Sequence, residues 1–275
     1  MKIISITGYK KSGKTTLVER LVEVLEKRGG VGTVKHLHDH EINPDNTDTG
    51  RHLNAGASVV VGVTPSGSAK FTPSTSLDNA LDELANSGMD YALVEGFKDN
   101  SLPKIVIGDL EVDNTIIKFK DLTDLTDDNI TKIIDIIESQ PDYQTLDSLI
   151  VKVKQNPHIN EAGAIGSFTG IVRQKTDDVE TKGLDFESYE GAAFERIKQI
   201  EQDLMERDGI IDVIIHHKTG WIEPGEDIVY IVVAASHRQQ LFPALSDAIE
   251  RVKAEVPIWK KEHTTTGEFW VHDHP

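Results

Sequence analysis

A glycine-rich segment near the start of the chain carries the residues best suited to phosphate chemistry. The segment GYKKSGKTT spans residues 8–16, fits the pattern G-x-x-x-x-G-K-[ST], follows the apolar run KIISIT and precedes a helical pattern. Glycines in such a loop let consecutive backbone N–H groups turn toward phosphate oxygens, and the helix N-terminus adds the positive end of its dipole. The motif predicts a P-loop that binds a nucleotide through the following residues: Gly8, Lys11, Ser12, Gly13, Lys14, Thr15 and Thr16.

Three side chains of this segment have distinct predicted roles, and a fourth comes from farther along the chain. Lys14 is expected to reach the β- and γ-phosphates, Thr15 to place its hydroxyl on Mg²⁺, and Thr16 to contact the α-phosphate. A P-loop also needs an acidic residue that holds or orients Mg²⁺, normally at the end of a buried strand. Glu95 follows the apolar run YALV and fits that position. We interpret it as a metal or water ligand, with a structural carboxylate that caps the following turn as the alternative.

Two further segments of the first half carry polar residues whose roles are open. In VKHLHDHEI the side chains of His36, His38 and His40 would share one face if the chain is extended. Such a face could bind zinc or the anions of the ligand, and no second ligand set at a recognisable spacing supports zinc. Arg51, in the segment DTGRHLNAGA, could contact phosphate or simply pair with an acidic neighbour.

The second half gathers cationic side chains in a protein that is strongly acidic elsewhere. Lys and Arg number 29 against 46 Asp and Glu, which gives a formal net charge of −17. Against that background a local group of cations suggests an anionic ligand. Its members are Arg173, His237, Arg238, Lys253, Lys260 and Lys261. Lys253 belongs to a predicted helix that Pro257 stops, so that Lys260 can return toward it. Each lysine could equally be a solvated charge, and Lys253 could simply favour the C-terminus of its helix.

Composition excludes several classes of protein. The chain has no cysteine, which excludes a disulfide framework, a thiolate zinc site, an iron–sulfur cluster and a cysteine nucleophile. Its acidity disfavours general binding to nucleic acid. No run approaches the about 20 consecutive apolar residues of a membrane span, and the first residues enter a strand-like segment without a signal-peptide pattern. We therefore expect a cytoplasmic protein that contacts neither nucleic acid nor membrane.

The elements that must position these residues follow two different patterns. Residues 1–138 alternate short β-branched runs with amphipathic helical ones, which is typical of an α/β domain with a mostly parallel sheet. Residues 139–148 are polar and without periodicity, and they are predicted to form a linker. Residues 149–275 fit an α+β domain whose first strand is predicted at Leu149–Val153. The last residues of this domain are predicted to form a hairpin that turns at Gly267.

Four motifs of the first half resemble a known family. In order, GYKKSGKTT, VKHLHDH, DTGRHLNAGA and DYALVEGFK are similar to the molybdopterin-guanine dinucleotide biosynthesis adapter proteins, the MobB family, over residues 1–138. The resemblance implies a P-loop NTPase domain that binds GTP and Mg²⁺, has weak GTPase activity and assists the molybdenum cofactor guanylyltransferase in attaching GMP to molybdopterin. The sequence departs from the family where Asp39 separates His38 from His40. Because no N-K-x-D guanine motif is present, guanine preference comes from the resemblance alone.

The second half resembles a different family. GSFTGIVR, ESYEGAAFERI, HHKTGWIEPGEDIVYIVVAASHR and KAEVPIWKKEH are similar to the catalytic subunit of molybdopterin synthase, the MoaE family, over residues 149–275. The resemblance implies that cyclic pyranopterin monophosphate receives two sulfurs, which gives the dithiolene of molybdopterin. The sulfurs arrive as the C-terminal thiocarboxylate of a small ubiquitin-like carrier protein. The resemblance also implies a homodimer through this domain and no tightly bound cofactor in it.

This second resemblance assigns roles to individual residues. Lys253 and Lys260 match the two essential lysines of the MoaE family and are interpreted as catalytic, with Lys253 acting on the carrier's C-terminus and Lys260 on the substrate. Substrate binding is predicted for the remaining cations and for two aromatic side chains: Arg173, His237, Arg238, Lys261, Phe168 and Trp259. The two aromatic side chains could wall the pterin pocket or simply belong to the core.

The whole chain is thus predicted to be a fusion of two steps in molybdenum cofactor assembly. Two alternatives concern the first half, which could be a nucleotide-binding adaptor without catalysis or a P-loop kinase of a small acceptor. A third alternative is that the second half only binds the carrier.

Overall fold

A parallel sheet in the first part of the chain and antiparallel sheets in the second define two units, residues 1–143 and residues 144–275. The computed structural model describes residues 1–37, 42–43, 45–73, 75–176 and 179–271. None of the helices within these ranges is long and apolar enough to cross a membrane.

The first unit is an α/β domain, which confirms the fold class predicted for it. Its elements in chain order are β1 (Lys2–Gly8), α1 (Lys14–Leu25), β2 (Val31–Lys35), α2 (Asp48–Asn54), β3 (Val60–Thr64), β4 (Gly67–Phe71), α3 (Leu77–Asn86), β5 (Tyr91–Glu95), β6 (Lys104–Ile107), β7 (Thr115–Phe119) and α4 (Asp127–Glu138). Five strands form one parallel sheet in the order β2-β5-β1-β6-β7. Strands β3 and β4 form a separate antiparallel hairpin.

Helices cover both faces of the parallel sheet and bury its apolar side chains. Because side chains alternate along a strand, Ile4 of β1 packs with α1 and α4, whereas Ile3 packs with α3. Helix α1 contributes Leu17, Leu21 and Leu25, which are fully buried at a helical spacing. Because the five strands are parallel, their carboxyl ends meet at one edge of the sheet, which is where α/β proteins bind their ligands.

The second unit is an α+β domain, as predicted. Its elements in chain order are α5 (Leu146–Lys154), β8 (Ala164–Ile171), β9 (Lys175–Thr176), β10 (Val179–Ser188), α6 (Glu190–Met205), β11 (Ile210–His217), β12 (Gly220–Ile222), β13 (Asp227–Ala235), α7 (Arg238–Glu255), β14 (Ile258–Thr264) and β15 (Glu268–Val271). One antiparallel sheet has the order β11-β13-β8 and a second has the order β12-β10-β14-β15, with β9 paired to β10. The turn at Gly267 joins β14 to β15, which confirms the predicted hairpin.

The strand predicted at Leu149–Val153 is wrong, because these residues belong to helix α5. This helix also begins inside the segment predicted as a linker. Thr145 forms a capping box with Ser148, and this box starts the helix within an otherwise irregular polar stretch. Leu149 and Val153, four residues apart, are then buried on one helical face against β13. A short apolar run is compatible with a strand or with a buried helix. Here the capping box stabilises the helix.

Candidate functional site

The P-loop residues predicted from the sequence line a cleft of about 1170 Å³ at the carboxyl edge of the parallel sheet. All seven of them contribute, namely Gly8, Lys11, Ser12, Gly13, Lys14, Thr15 and Thr16. The loop connects β1 to the N-terminus of α1, so that the positive end of the helix dipole points into the cleft. This arrangement has the backbone geometry of a P-loop.

Two glycines and one lysine shape the backbone of this loop. Gly13, the N-cap of α1, has a φ of 96° and makes no side-chain cap, so the first N–H groups of the helix are left for a ligand. Lys11 also lies in the left-handed region, at φ 66°. A Cβ on Gly8 would lie 2.5 Å from the carbonyl oxygen of Ile107, which explains a glycine there. Ser12 Oγ is buried and has no hydrogen-bond partner among the described residues. The Ser12 hydroxyl and the first N–H groups of α1 are thus the donors that this loop can offer to an anion.

The side chain of Lys14 folds back over the loop. Its Nζ donates hydrogen bonds to the carbonyl oxygens of Gly8 at 3.0 Å and Tyr9 at 2.8 Å. Burial lowers the pKa of Lys14, and the nearby carboxylate of Glu95 opposes that shift. The ammonium is thus held at the loop, within the space where phosphate oxygens would gather.

Glu95 ends β5 with only 8% of its surface exposed, and its carboxylate faces the P-loop. Thr15 Oγ1 donates to Glu95 at 3.0 Å and 3.1 Å from the two carboxylate oxygens. A third group completes this cluster, since Lys35 Nζ lies 3.1 Å from both Glu95 Oε1 and Thr15 Oγ1. The ammonium of Lys35 thus contacts both residues that are predicted to hold a metal. Sequence reasoning missed Lys35, because its position opposite Glu95 depends on the register of β2 on β5.

The histidine and arginine segments of the first unit have different outcomes. His36 lines the cleft and stacks on Phe97, with ring centroids 4.3 Å apart and an interplanar angle of 15°. His38 and His40 lie outside the described residues. Arg51 is not among the cleft residues, and its guanidinium lies 3.6 Å from Asp48 one turn earlier in α2. Within the described residues, no three His, Asp or Glu side chains cluster as metal ligands.

A second cleft, of about 570 Å³, lies in the second unit. Four of the predicted residues line it: Arg173, Phe168, Lys253 and Lys260. Lys253 lies in the last turn of α7, which ends at Glu255, and Pro257 then leads the chain into β14. Because helix and strand meet at this bend, the two lysines project into one cavity although seven positions separate them.

Two residues adjacent to Lys260 point elsewhere. Side chains alternate along β14, so Ile258, Lys260 and Glu262 line the cleft, whereas Trp259 and Lys261 are on the other face. Lys261 Nζ donates to Glu268 Oε1 at 2.5 Å and lies 5.9 Å from the centre of the Trp270 ring. The structure therefore does not bring Trp259 or Lys261 into the cleft.

His237 and Arg238 also lie away from this cleft within one chain. His237 is the N-cap of α7 and Arg238 is its first residue, whereas Lys253 lies in its last turn. With a rise of 1.5 Å per residue, roughly 22 Å of helix separates Arg238 from Lys253. The length of α7 thus prevents these two cations from joining Lys253 in the same cavity of the same chain.

Two titratable residues of the second cleft were missed by sequence reasoning. His217, at the end of β11, donates from Nδ1 to the carbonyl oxygen of Lys218 at 2.7 Å and contacts the Phe186 ring edge-on. Burial lowers the pKa of His217, and the positive charge of Lys260 lowers it further. Glu262 is buried and accepts a hydrogen bond from Thr181 Oγ1 at 2.6 Å. The residue order HHK gives no local signal that one histidine enters a cavity.

Comparisons with known proteins agree with the two-unit division. The family model of molybdopterin guanine dinucleotide synthesis protein B, MobB, matches residues 3–128, and that of MoaE protein matches residues 139–255. A probable molybdopterin synthase from Haloferax volcanii is 37% identical over 276 residues, which cover 99% of this chain and 100% of that relative.

Two other relatives match one half of the chain each. A molybdopterin synthase catalytic subunit from Halalkalibacterium halodurans is 42% identical over 118 residues, 43% of this chain and 74% of that subunit. A putative molybdopterin-guanine dinucleotide biosynthesis adapter protein from Methanocaldococcus jannaschii is 37% identical over 140 residues, 49% of this chain and 55% of that protein.

Proposed function

Because this chain belongs to the molybdopterin synthase family of molybdenum cofactor biosynthesis, with a MobB-type unit ahead of its MoaE-type unit, we propose that its second cleft inserts sulfur into cyclic pyranopterin monophosphate. The sulfur donor is the thiocarboxylated C-terminus of a small carrier protein. One observation supports this proposal above the others: Lys253 and Lys260 project into the same cavity from the two sides of the bend at Pro257.

The charges of this cleft match two anionic reactants. The substrate carries a cyclic phosphate and the carrier brings a thiocarboxylate, and Arg173, Lys253 and Lys260 supply positive charge. Arg173 can hold phosphate oxygens through paired N–H donors. Lys253 is 56% exposed at its side chain and can meet the arriving carrier tail, whereas Lys260 is half-buried beside the substrate. Phe168 provides an apolar wall against which a pterin ring can pack.

His217 provides a neutral base in the same cleft. Its Nδ1–H donates a hydrogen bond to the carbonyl oxygen of Lys218. In the neutral imidazole Nε2 therefore carries the lone pair and can accept a proton. Since burial and Lys260 both lower the pKa of His217, the neutral form is favoured at neutral pH. We assign His217 to positioning or relaying a proton at the lysine side of the cleft.

A homodimer accounts for the two cations that α7 keeps away from their own cleft. His237 and Arg238 lie at the opposite end of α7 from Lys253. If they bind substrate phosphate, they must do so in the cleft of a second copy. We therefore propose a dimer through the second unit, in which each cleft combines lysines of one chain with His237 and Arg238 of the other.

The first unit is proposed to bind GTP with Mg²⁺ and to act as an adapter for the guanylyltransferase. The uncapped N-terminus of α1, the unpartnered Ser12 Oγ and the ammonium of Lys14 fit a triphosphate. The hydroxyl of Thr15 and the carboxylate of Glu95, 3.0 Å apart, are hard oxygen ligands suited to Mg²⁺. A Mg²⁺ ion held by these two residues would supply positive charge beside the phosphates.

The positions of Glu95 and Thr15 suggest an orientation for the nucleotide. We propose that its terminal phosphates bind on the β5 side of β1, next to these two residues. The rest of the nucleotide then extends toward β6 and β7, where Leu110 and Leu122 line the cleft and can contact the base.

The test is dithiolene formation from cyclic pyranopterin monophosphate and thiocarboxylated carrier. Lys253→Ala and Lys260→Ala are each expected to slow the reaction at least about 100-fold, the usual loss when a proton-transfer group is removed. Two exposed lysines serve as matched controls and should change nothing: Lys154 in the last turn of α5 and Lys182 on strand β10. Lys14→Ala should abolish nucleotide binding and leave sulfur insertion intact.

Two outcomes of this test would contradict the proposed function. Wild-type protein that binds the carrier but forms no dithiolene would contradict a synthase and leave a carrier-binding protein. Loss of both activities in Lys14→Ala would contradict two units that work independently.

A further inference from the structure

Part of the first cleft remains unused by the proposed nucleotide. The P-loop, Leu110 and Leu122 line one side of it, in the segments that follow strands β1, β6 and β7. Beyond Glu95, on the β5 and β2 side, a second group of residues lines the same cavity. We call this part the outer half of the cleft; it consists of Lys35, His36, Leu37, Phe97 and Lys98.

A pair of stacked rings forms the floor of the outer half. Phe97 packs partly buried against the apolar core beneath α3, and His36 lies on it with ring centroids 4.3 Å apart. His36 itself is exposed toward the cleft. A planar ring that enters the cleft can stack on the imidazole and extend the pair to a three-layer stack.

The backbone beneath this pair is held in an unfavourable conformation. Gly96 has a φ of 97° and Phe97 a φ of 50°, and a left-handed phenylalanine is strained. Gly96 is needed because a Cβ there would lie 2.9 Å from His36 Cβ. The N–H of His36 donates to the Glu95 carbonyl oxygen at 2.9 Å, which ties the ring position to the β2–β5 ladder. Strain that persists at a ligand cleft indicates that the position of the Phe97 ring serves binding.

Charge in the outer half favours an anion on that planar ring. Lys35 is already paired with Glu95, at 3.1 Å, so these two charges offset each other. Lys98 is exposed, lines the cavity and forms no ion pair among the described residues, so its ammonium is available to an anion, with the carboxylate of Asp99 nearby. The chemistry that fits is a planar heteroaromatic ring that carries a phosphate.

We propose that the outer half binds a phosphorylated pterin beside the terminal phosphates of the nucleotide. This inference rests on the proposed function, because the second unit would release such a molecule as its product. The first unit would then hold both groups that a guanylyltransferase has to join, the nucleotide and the pterin phosphate, side by side on one adapter. The competing occupant is the guanine ring of the nucleotide itself.

The experiment is calorimetric titration of the full chain with a pterin monophosphate, in the presence of Mg²⁺ and a non-hydrolysable GTP analogue. Wild-type protein should bind two equivalents, one in each unit. His36→Ala should weaken the first-unit site about tenfold, which is typical for loss of one aromatic stacking partner. His36→Phe should restore it because the ring is kept. His52→Ala, an exposed histidine on α2, is the matched control and should bind as wild type.

The readouts separate this inference from the proposed function. Binding of the GTP analogue should be the same in His36→Ala as in wild type; an equal loss would show that guanine occupies the outer half and would overturn the inference. A single pterin site that disappears in Arg173→Ala and is unaffected by His36→Ala would also overturn it. Failure of wild-type protein to bind the GTP analogue would instead contradict the proposed function of the first unit.

Discussion

Replacing Gly13 with alanine should destabilise the first unit more than the same change at a glycine of similar conformation. Gly13 has a φ of +96°, and a Cβ on it would lie 2.2 Å from Leu122 Cδ2. Gly56 has a φ of +104°, but nothing lies within 4 Å of the corresponding Cβ. A left-handed alanine costs roughly 1–2 kcal/mol at either position. The Leu122 side chain is 41% exposed and can rotate away, which adds about 0.5–1.5 kcal/mol at Gly13 alone and makes its total loss about 1.5–3.5 kcal/mol.

The assay is urea unfolding, monitored by amide hydrogen exchange in α1 for the first unit and by tryptophan fluorescence for the second unit. All three tryptophans belong to the second unit, at positions Trp221, Trp259 and Trp270, so their fluorescence is an internal control that should not change. The double variant Gly13→Ala/Leu122→Ala should recover the part of the loss that is due to displacement, because the obstructing side chain is gone. Equal losses at Gly13 and Gly56, or no recovery in the double variant, would refute the reasoning.

Two further predictions concern charge in the two clefts. Glu95→Gln keeps an acceptor for Thr15 but removes the carboxylate, so binding of a fluorescent GTP analogue should weaken about tenfold with Mg²⁺ and stay unchanged or tighten with EDTA. Equal Mg²⁺ dependence in variant and wild type would contradict a metal role for Glu95. His217 has a lowered pKa, so the unfolded chain binds its proton more readily and the second unit loses stability as pH falls below the ordinary value of 6.5. His217→Asn should therefore lose less unfolding free energy between pH 7.5 and pH 5 than wild type, measured by tryptophan fluorescence in urea, and identical losses would exclude this contribution.

The fold class of both units could be predicted because it depends on local periodicity. Short β-branched runs between amphipathic helices indicate a parallel sheet wherever the crossovers are long enough for a helix. A short apolar run also predicted a strand at Leu149–Val153, and this prediction was wrong. The capping box of Thr145 and Ser148 starts a helix there. A run of five residues is too short for its period to distinguish the two structures.

The residues of the second cleft were predicted only in part. Lys253 and Lys260 flank Pro257, which follows the end of α7, and the bend at this point lets both of them line one cavity. The exclusion of Trp259 and Lys261 depends on which face of β14 is turned toward the cleft. That choice is made by the pairing of β14 with β10 and β15, which a single segment does not specify.

The sequence by itself determined the P-loop, since its glycines, lysine and hydroxyls act through consecutive backbone groups and the helix that follows them. Only the tertiary structure brought Lys35 to Glu95, because sixty positions of chain separate them and the register of β2 on β5 joins them. The tertiary structure also separated Arg238 from Lys253, since the length of a rigid helix sets their distance. Contacts between distant residues depend on strand order, register and helix length, and local sequence patterns do not encode these together.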